Sequence, residues 1–312
     1  GTEADNLILN SCVKDLGITR IITSKIEHHA VLHTIQNLEA SFNLTIEYVK
    51  LDDHGMVDYN HLENLLTNST SKTLVSFMHV NNEIGNKINL ALIAEICKKY
   101  NALFHSDTVQ SVGYYPLDFS EIPIDFAAAS AHKFHGPKGV GFAFIRKNSG
   151  IRALIRGGEQ ERGLRAGTEA VYAIAGMAKA LELSYDNLEE ERPFITSIKE
   201  YFIEKILQEV PAIKFNGYCS DPKNSTYKIV NMLLPISAES ATMLLFQLDL
   251  KGIACSKGSA CQSGSTTGSH VLTEILSDED LLKPSMRFSF SSFNTKEEVD
   301  YVIDVLKEFV LS

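Results

Sequence analysis

Between positions 20 and 145, short apolar runs alternate with amphipathic stretches, and this alternation restricts the possible folds more than any other property of the chain. Runs at 20–24, 44–49, 73–78, 102–105, 124–129 and 139–145 read as strands. The stretches at 30–38, 59–66 and 90–100 carry apolar residues at helical spacing. Strands linked by helices in this way build a mostly parallel sheet with helices packed on its faces, so the expected class is α/β. Beyond position 145 the rhythm changes to helices near 169–183, 191–210, 240–250 and 296–311, with strands at 228–233 and 285–290. At 312 residues the chain exceeds the usual size of a single core. The change of pattern divides it into a large domain, 1–189, and a smaller C-terminal α+β domain, 190–312.

The bulk numbers exclude several classes. A net charge of −10 with no basic stripe argues against a nucleic-acid surface. No apolar stretch is long enough to span a bilayer. The five cysteines, Cys12, Cys97, Cys219, Cys255 and Cys261, are an odd number without Cys-x-x-Cys spacing. That pattern offers no metal site and fits a reducing compartment, so the expected location is cytoplasmic.

In a parallel sheet, ligands bind beyond the carboxyl ends of the strands, and there the chain places its polar clusters. Glu27-His28-His29 follows the first strand, Asn81-Asn82-Glu83 the third, Asp107-Thr108-Val109-Gln110 the fourth and Ser130-Ala131-His132-Lys133 the fifth. Lys133 taken alone is a lysine reaching solvent from a strand end. Beside these neighbours it reads as an amine whose pKa is lowered by partial burial, and so as a nucleophile. At the other end, Gly1-Thr2-Glu3-Ala4-Asp5-Asn6 opens a helix. Its first turn is either an ordinary capped start or an anion site made by free backbone N–H groups.

Two later stretches also stand out. The segment 157–168 is rich in glycine and charge and reads as a functional loop. In the C-terminal domain, Cys261 sits among Ser and Gly residues at 256–269. A thiol in such a loop is a candidate nucleophile, a redox thiol or an incidental loop residue. Cys255, closing the apolar piece Ile253-Ala254, reads as structural.

Taken together, these stretches resemble the cysteine desulfurases of the NifS/IscS type. That is a branch of the class V aminotransferases, which depend on pyridoxal phosphate and share its fold type I. The resemblance is carried by residues 1–6, Glu27-His28, 79–85, Asp107 with Gln110-Ser111-Val112-Gly113, 130–139, 161–168, Gly258-Ser259-Ala260-Cys261 and Arg287-Phe288-Ser289, in the family's order across the whole chain. It implies that Lys133 holds pyridoxal phosphate covalently and later moves protons. Asp107 would pair with the ring nitrogen, Gln110 with the phenolic oxygen, and His28 would stack on the ring. Thr2, Ser130 and His132 would bind the phosphate, with Thr168 supplied by the partner subunit of a homodimer. Asn82 and Arg287 would hold the carboxylate of L-cysteine. Cys261 would take the sulfur as a persulfide, releasing L-alanine, and pass it to an acceptor protein, either an iron–sulfur scaffold or a tRNA-thiolation enzyme. Neither a metal nor direct nucleic-acid contact is implied.

The chain departs from the family pattern at two places. It lacks the segment that family members carry before the position of Gly1. After Arg287-Phe288-Ser289 it reads Phe290-Ser291-Ser292-Phe293, without the glycine and arginine usual there. Two alternatives therefore accompany the desulfurase reading: a related pyridoxal-phosphate lyase or aminotransferase of the selenocysteine-lyase kind, or a truncated, inactive fragment.

Overall fold

Four-residue runs such as Arg-Ile-Ile-Thr are too short to hold a sheet alone, and their stability comes from being buried between neighbours. The computed structural model describes residues 1–67, 70–257 and 268–311. These divide into two units: Gly1–Leu51 with Val57–Val80 and Ile88–Leu188, and Asp52–Met56 with Asn81–Lys87 and Glu189–Ser312.

The first unit is built from helices α1 (Thr2–Lys14), α2 (His29–Ser41), α3 (Tyr59–Thr67), α4 (Leu90–Lys99) and α5 (Val171–Asp186). Its strands are β1 (Arg20–Thr23), β2 (Thr45–Tyr48), β3 (Thr73–Ser76), β4 (Leu103–Asp107), β5 (Phe126–Ser130) and β6 (Gly141–Ile145). They form one sheet in the order β2-β1-β3-β4-β5-β6. All neighbours are parallel except β6, which runs antiparallel to β5. The α/β expectation holds. The exception follows from chain length: the connection from β5 to β6 is a short turn through Gly136-Pro137, and a parallel return needs a full crossover. Gly141 starts β6 where an added Cβ would lie 2.3 Å from the carbonyl oxygen of Ala129. A side chain there would force the two strands apart.

The core of this unit lies where α1 and α2 cover the sheet. Ile8, Leu9, Cys12, Ile21, Val31, Ile35, Leu38, Leu74 and Phe126 pack together with almost no exposure. Burying each large aliphatic side chain contributes on the order of 1.5–3 kcal/mol. β4 runs to Asp107, two residues beyond the apolar run that predicted it, because Ser106 and Asp107 pair with Ala127 and Ala128 of β5. Strand pairing overrides the low strand propensity of Asp.

The second unit carries an antiparallel sheet in the order β7-β8-β10-β9, formed by Lys214–Phe215, Ile229–Leu233, Ser256–Lys257 and Ser285–Ser289 for β7, β8, β9 and β10 respectively. Its helices are α6 (Leu188–Glu209), α7 (Ala238–Leu250), α8 (His270–Thr273), α9 (Asp278–Leu281) and α10 (Lys296–Leu311). β7 and β9 have two residues each, too few to show any alternation in the sequence. Among the described residues no helix is long and apolar enough to cross a membrane.

Candidate active site

The carboxyl ends of β1, β4 and β5 bring most of the expected cofactor residues into the first unit. Asp107 ends β4, nearly buried, and its Oδ1 accepts a hydrogen bond from Val109 N at 2.9 Å. Burial pushes its carboxyl up to about 6, and the nearby Asp5 carboxyl adds to the shift. His28 is the N-cap of α2: its Nδ1 accepts from Ala30 N at 3.1 Å, which fixes the ring where β1 gives way to the helix. Gln110 lies half-exposed in the turn after β4.

Lys133 lies on a 3₁₀ turn, Ala131–Phe134, that caps β5. Ser130 Oγ is bonded to His132 Nδ1 at 3.0 Å, and Tyr114 Oη donates to the carbonyl oxygen of Lys133 at 2.6 Å. His135 closes the turn with φ of 65°, a left-handed conformation that reverses the chain toward Gly136. The sequence predicted a partly buried lysine at a strand mouth. In this chain Lys133 and His132 are instead exposed, because the turn lifts them beyond the end of the sheet. Desolvation, followed by the ammonium of Lys133, holds His132 below the usual imidazole range.

α1 begins beside the same strand ends. An added Cβ on Gly1 would meet Val109 Cγ2 at 2.8 Å and lie 3.8 Å from Ser130 Cβ, so the helix start comes this close because its N-cap has no side chain. The first N–H groups of a helix have no intrahelical partner and favour an anion. Two acids in that turn oppose one, yet both are restrained. Glu3 is paired with Arg165 at 2.8 Å, and burial raises the Asp5 carboxyl to about 7. Arg165 belongs to the 157–168 loop, where Thr168 stands exposed ahead of α5.

The expected substrate residues lie in the second unit. Arg287 of β10 is half-buried; its Nη1 donates to the backbone oxygen of Asn82 at 2.7 Å and its Nη2 to Ser256 Oγ at 3.3 Å. Asn81 Oδ1 accepts from Glu83 N and Ile84 N at 2.8 and 3.1 Å, shaping the turn that carries Asn82. Cys261 lies outside the described residues. Cys255 is free and half-buried, and burial raises its thiol to about 11, in keeping with a structural thiol.

Three buried groups near Asp107 carry more than the sequence suggested. Glu27 is fully enclosed, accepts from Ser24 Oγ and Met78 N at 2.6 Å each, and is raised by burial to about 8. Asp5 and His105 are equally enclosed, their Oδ1 and Nε2 atoms 3.3 Å apart. The sequence did hold a signal for Asp5. It lies three, four and seven positions before Ile8, Leu9 and Cys12, all on the buried stripe of α1. An acid on such a stripe is anomalous and invites a reason.

The fold and these residues define a class V aminotransferase: the family model for "Aminotransferase class-V" matches residues 1–302, and the chain belongs to that family. Its relatives narrow this to the cysteine desulfurases. "Cysteine desulfurase IscS" of Clostridium botulinum is 41% identical over 99% of this chain and 77% of its own length. "Putative cysteine desulfurase IscS 1" of Bacillus subtilis is 40% identical over 98% and 81%. A solved structure described as a NifS-like protein superposes with a TM-score of 0.87 at 33% identity, covering 99% of this chain and 80% of that one. Enzymes of this family depend on pyridoxal phosphate.

Proposed function

We propose that this chain is a desulfurase that converts L-cysteine to L-alanine, leaving the sulfur on Cys261. The observation that carries the reading is the convergence, within one unit, of the α1 N-terminus, Asp107, Ser130, His132 and Lys133. Their chemistry suits pyridoxal phosphate. A buried carboxylate suits a protonated pyridine nitrogen, while helix N–H groups and hydroxyls suit a phosphate. An amine at the end of β5 suits the aldehyde.

In this reading Asp107 would hold the ring nitrogen, Gln110 would bond the phenolic oxygen, and His28 would stack on the ring. Thr2, Ser130 and His132 bind the phosphate, joined by Thr168 of a second copy in a homodimer. Lys133 anchors the cofactor and carries protons to and from the substrate. When bound, the cofactor supplies an electron sink for negative charge developing on the substrate. Asn82 and Arg287 take the substrate carboxylate, for which the planar guanidinium is well suited. The Cys261 thiolate attacks the substrate sulfur. An S–S bond forms, the substrate's C–S bond breaks, and the carbon takes up a proton to become alanine. The persulfide then passes to an acceptor protein serving iron–sulfur assembly or thiolation. Free thiols at Cys12, Cys97, Cys219 and Cys255 suit a reducing, cytoplasmic setting.

The test is to purify the chain, record its visible absorbance with and without L-cysteine, and measure alanine and sulfide under reducing conditions. Equal amounts of alanine and sulfide support the desulfurase. A coloured protein that consumes cysteine without releasing alanine overturns it in favour of another reaction of the family.

A further inference from the structure

His105 and Asp107 are two residues apart on β4, so their side chains lie on the same face of the sheet. Asp5 reaches the same region from the first turn of α1. Its Oδ1 faces His105 Nε2 at 3.3 Å. Both atoms are sealed from solvent, and neither has a hydrogen-bond partner among the described residues. On its other side, His105 Nδ1 is bonded to Ser76 Oγ at 2.9 Å. Two buried polar atoms left facing each other are costly unless a proton lies between them.

The geometry points to Asp5 and His105 as a proton-sharing pair near Asp107, with Asp5 a positioning residue whose charge, set by the proton it shares with the imidazole, acts on Asp107. This rests on the reading that Asp107 faces the cofactor. The pair has two neutral-imidazole forms. In one, Asp5 is a carboxylic acid donating to Nε2, and Nδ1–H donates to Ser76 Oγ. In the other, Asp5 has lost its proton, Nε2–H donates to the carboxylate, and Ser76 O–H donates to Nδ1. The change releases one proton to solvent and adds one negative charge beside Asp107.

The surrounding groups set when this happens. Glu27 and His28 face the cluster from the loop after β1 and the start of α2, Asp107 from β4, the Gly1 amine opposes the rise of Asp5 from the start of α1, and Glu3 is turned to Arg165. Burial lowers His105 to about 4, so the imidazole stays neutral, and raises Asp5 to about 7. The switch therefore falls near neutrality. Above it, the added charge makes a proton on the partner of Asp107 harder to remove.

Two readouts test this. In the cofactor-free chain labelled with ¹⁵N-histidine, the His105 ring nitrogens should show one chemical-shift step between about pH 6 and 8. Asp5→Asn should abolish that step and Asp5→Glu restore it. In the loaded protein, the absorbance band of bound pyridoxal phosphate should show a step in the same window, lost or moved by at least about one pH unit in Asp5→Asn. A flat His105 shift in wild type, or the same step in a folded Asp5→Asn, overturns the pair. If Asp5→Asn does not fold, His105→Gln takes its place, and an absorbance step there at the wild-type pH also overturns it. A wild-type protein that binds no pyridoxal phosphate defeats the functional reading instead, while the histidine signal still decides the pair.

Discussion

Tyr114 and Lys133 are joined through the backbone: the phenol donates to the lysine's carbonyl oxygen at 2.6 Å, holding the turn that presents the amine. Lys133 itself is exposed, and this bond fixes the backbone from which its side chain departs. Tyr114→Phe removes this hydrogen bond, worth on the order of 0.5–1.5 kcal/mol, together with the longer 3.3 Å contact of the phenol oxygen to His135 Nε2. The expected result is a melting temperature lower by about 2–4 °C and pyridoxal phosphate bound up to about tenfold more weakly. Thermal unfolding and cofactor titration measure both, and an unchanged affinity would show that the turn does not need the anchor.

Lys133→Ala should abolish alanine release and the covalent, borohydride-trapped attachment of the cofactor, read by mass spectrometry of the intact chain. Turnover near the wild-type rate would rule out Lys133 as the anchor.

Asp107→Asn keeps the shape of the side chain and removes its charge. A charge-assisted bond worth roughly 1.5–3 kcal/mol is lost, and the electron sink is weakened with it. The cofactor should still bind while kcat falls by orders of magnitude. Stopped-flow absorbance and alanine assays separate the two effects.

The buried acids make stability depend on pH with a definite sign. Glu27 and Asp5 have folded-state values of about 8 and about 7, above their ordinary values of 4.5 and 3.8. Between the ordinary and the raised value, the folded chain keeps protons that the unfolded chain has lost. Stability therefore falls as pH rises toward 8, by up to about 1.4 kcal/mol per pH unit for each group. His105 acts oppositely but only below its ordinary value of 6.5, where the unfolded chain binds the extra proton. Glu27→Gln should reduce the loss between about pH 6.5 and 8, leaving the part due to Asp5. Urea unfolding of the cofactor-free chain at the two pH values checks this, and equal pH slopes in mutant and wild type would contradict it.

Cys261→Ser separates sulfur transfer from everything before it. The variant should bind pyridoxal phosphate and L-cysteine yet release almost no alanine. Wild type given L-cysteine without reductant should carry the added sulfur on the peptide containing Cys261. Sulfur found on Cys255 instead, whose thiol burial raises to about 11, would move the acceptor role.

Several features were legible from residue order alone. The apolar runs that became β1, β3 and β5 are fully buried strands, and the Asn82, Asp107 and Lys133 clusters follow their strands as the rhythm implied. Local pattern suffices there, because burial on both faces of a sheet demands continuous apolar runs. Other features were decided by partners distant in sequence. β7 and β9 are two-residue strands created by pairing with β8 and β10. Lys133 is exposed because a turn carries it off the sheet, which its apolar neighbours could not reveal. Asn81 to Lys87 belong with the C-terminal unit although the chain reaches them early. Above all, the sequence does not show that Asp5 at the start of a helix, Glu27 after one strand and His105 within another come together. Packing α1 against the sheet encloses all three beside Asp107, and removing water from them turns three common side chains into a coupled set of buried titrating groups.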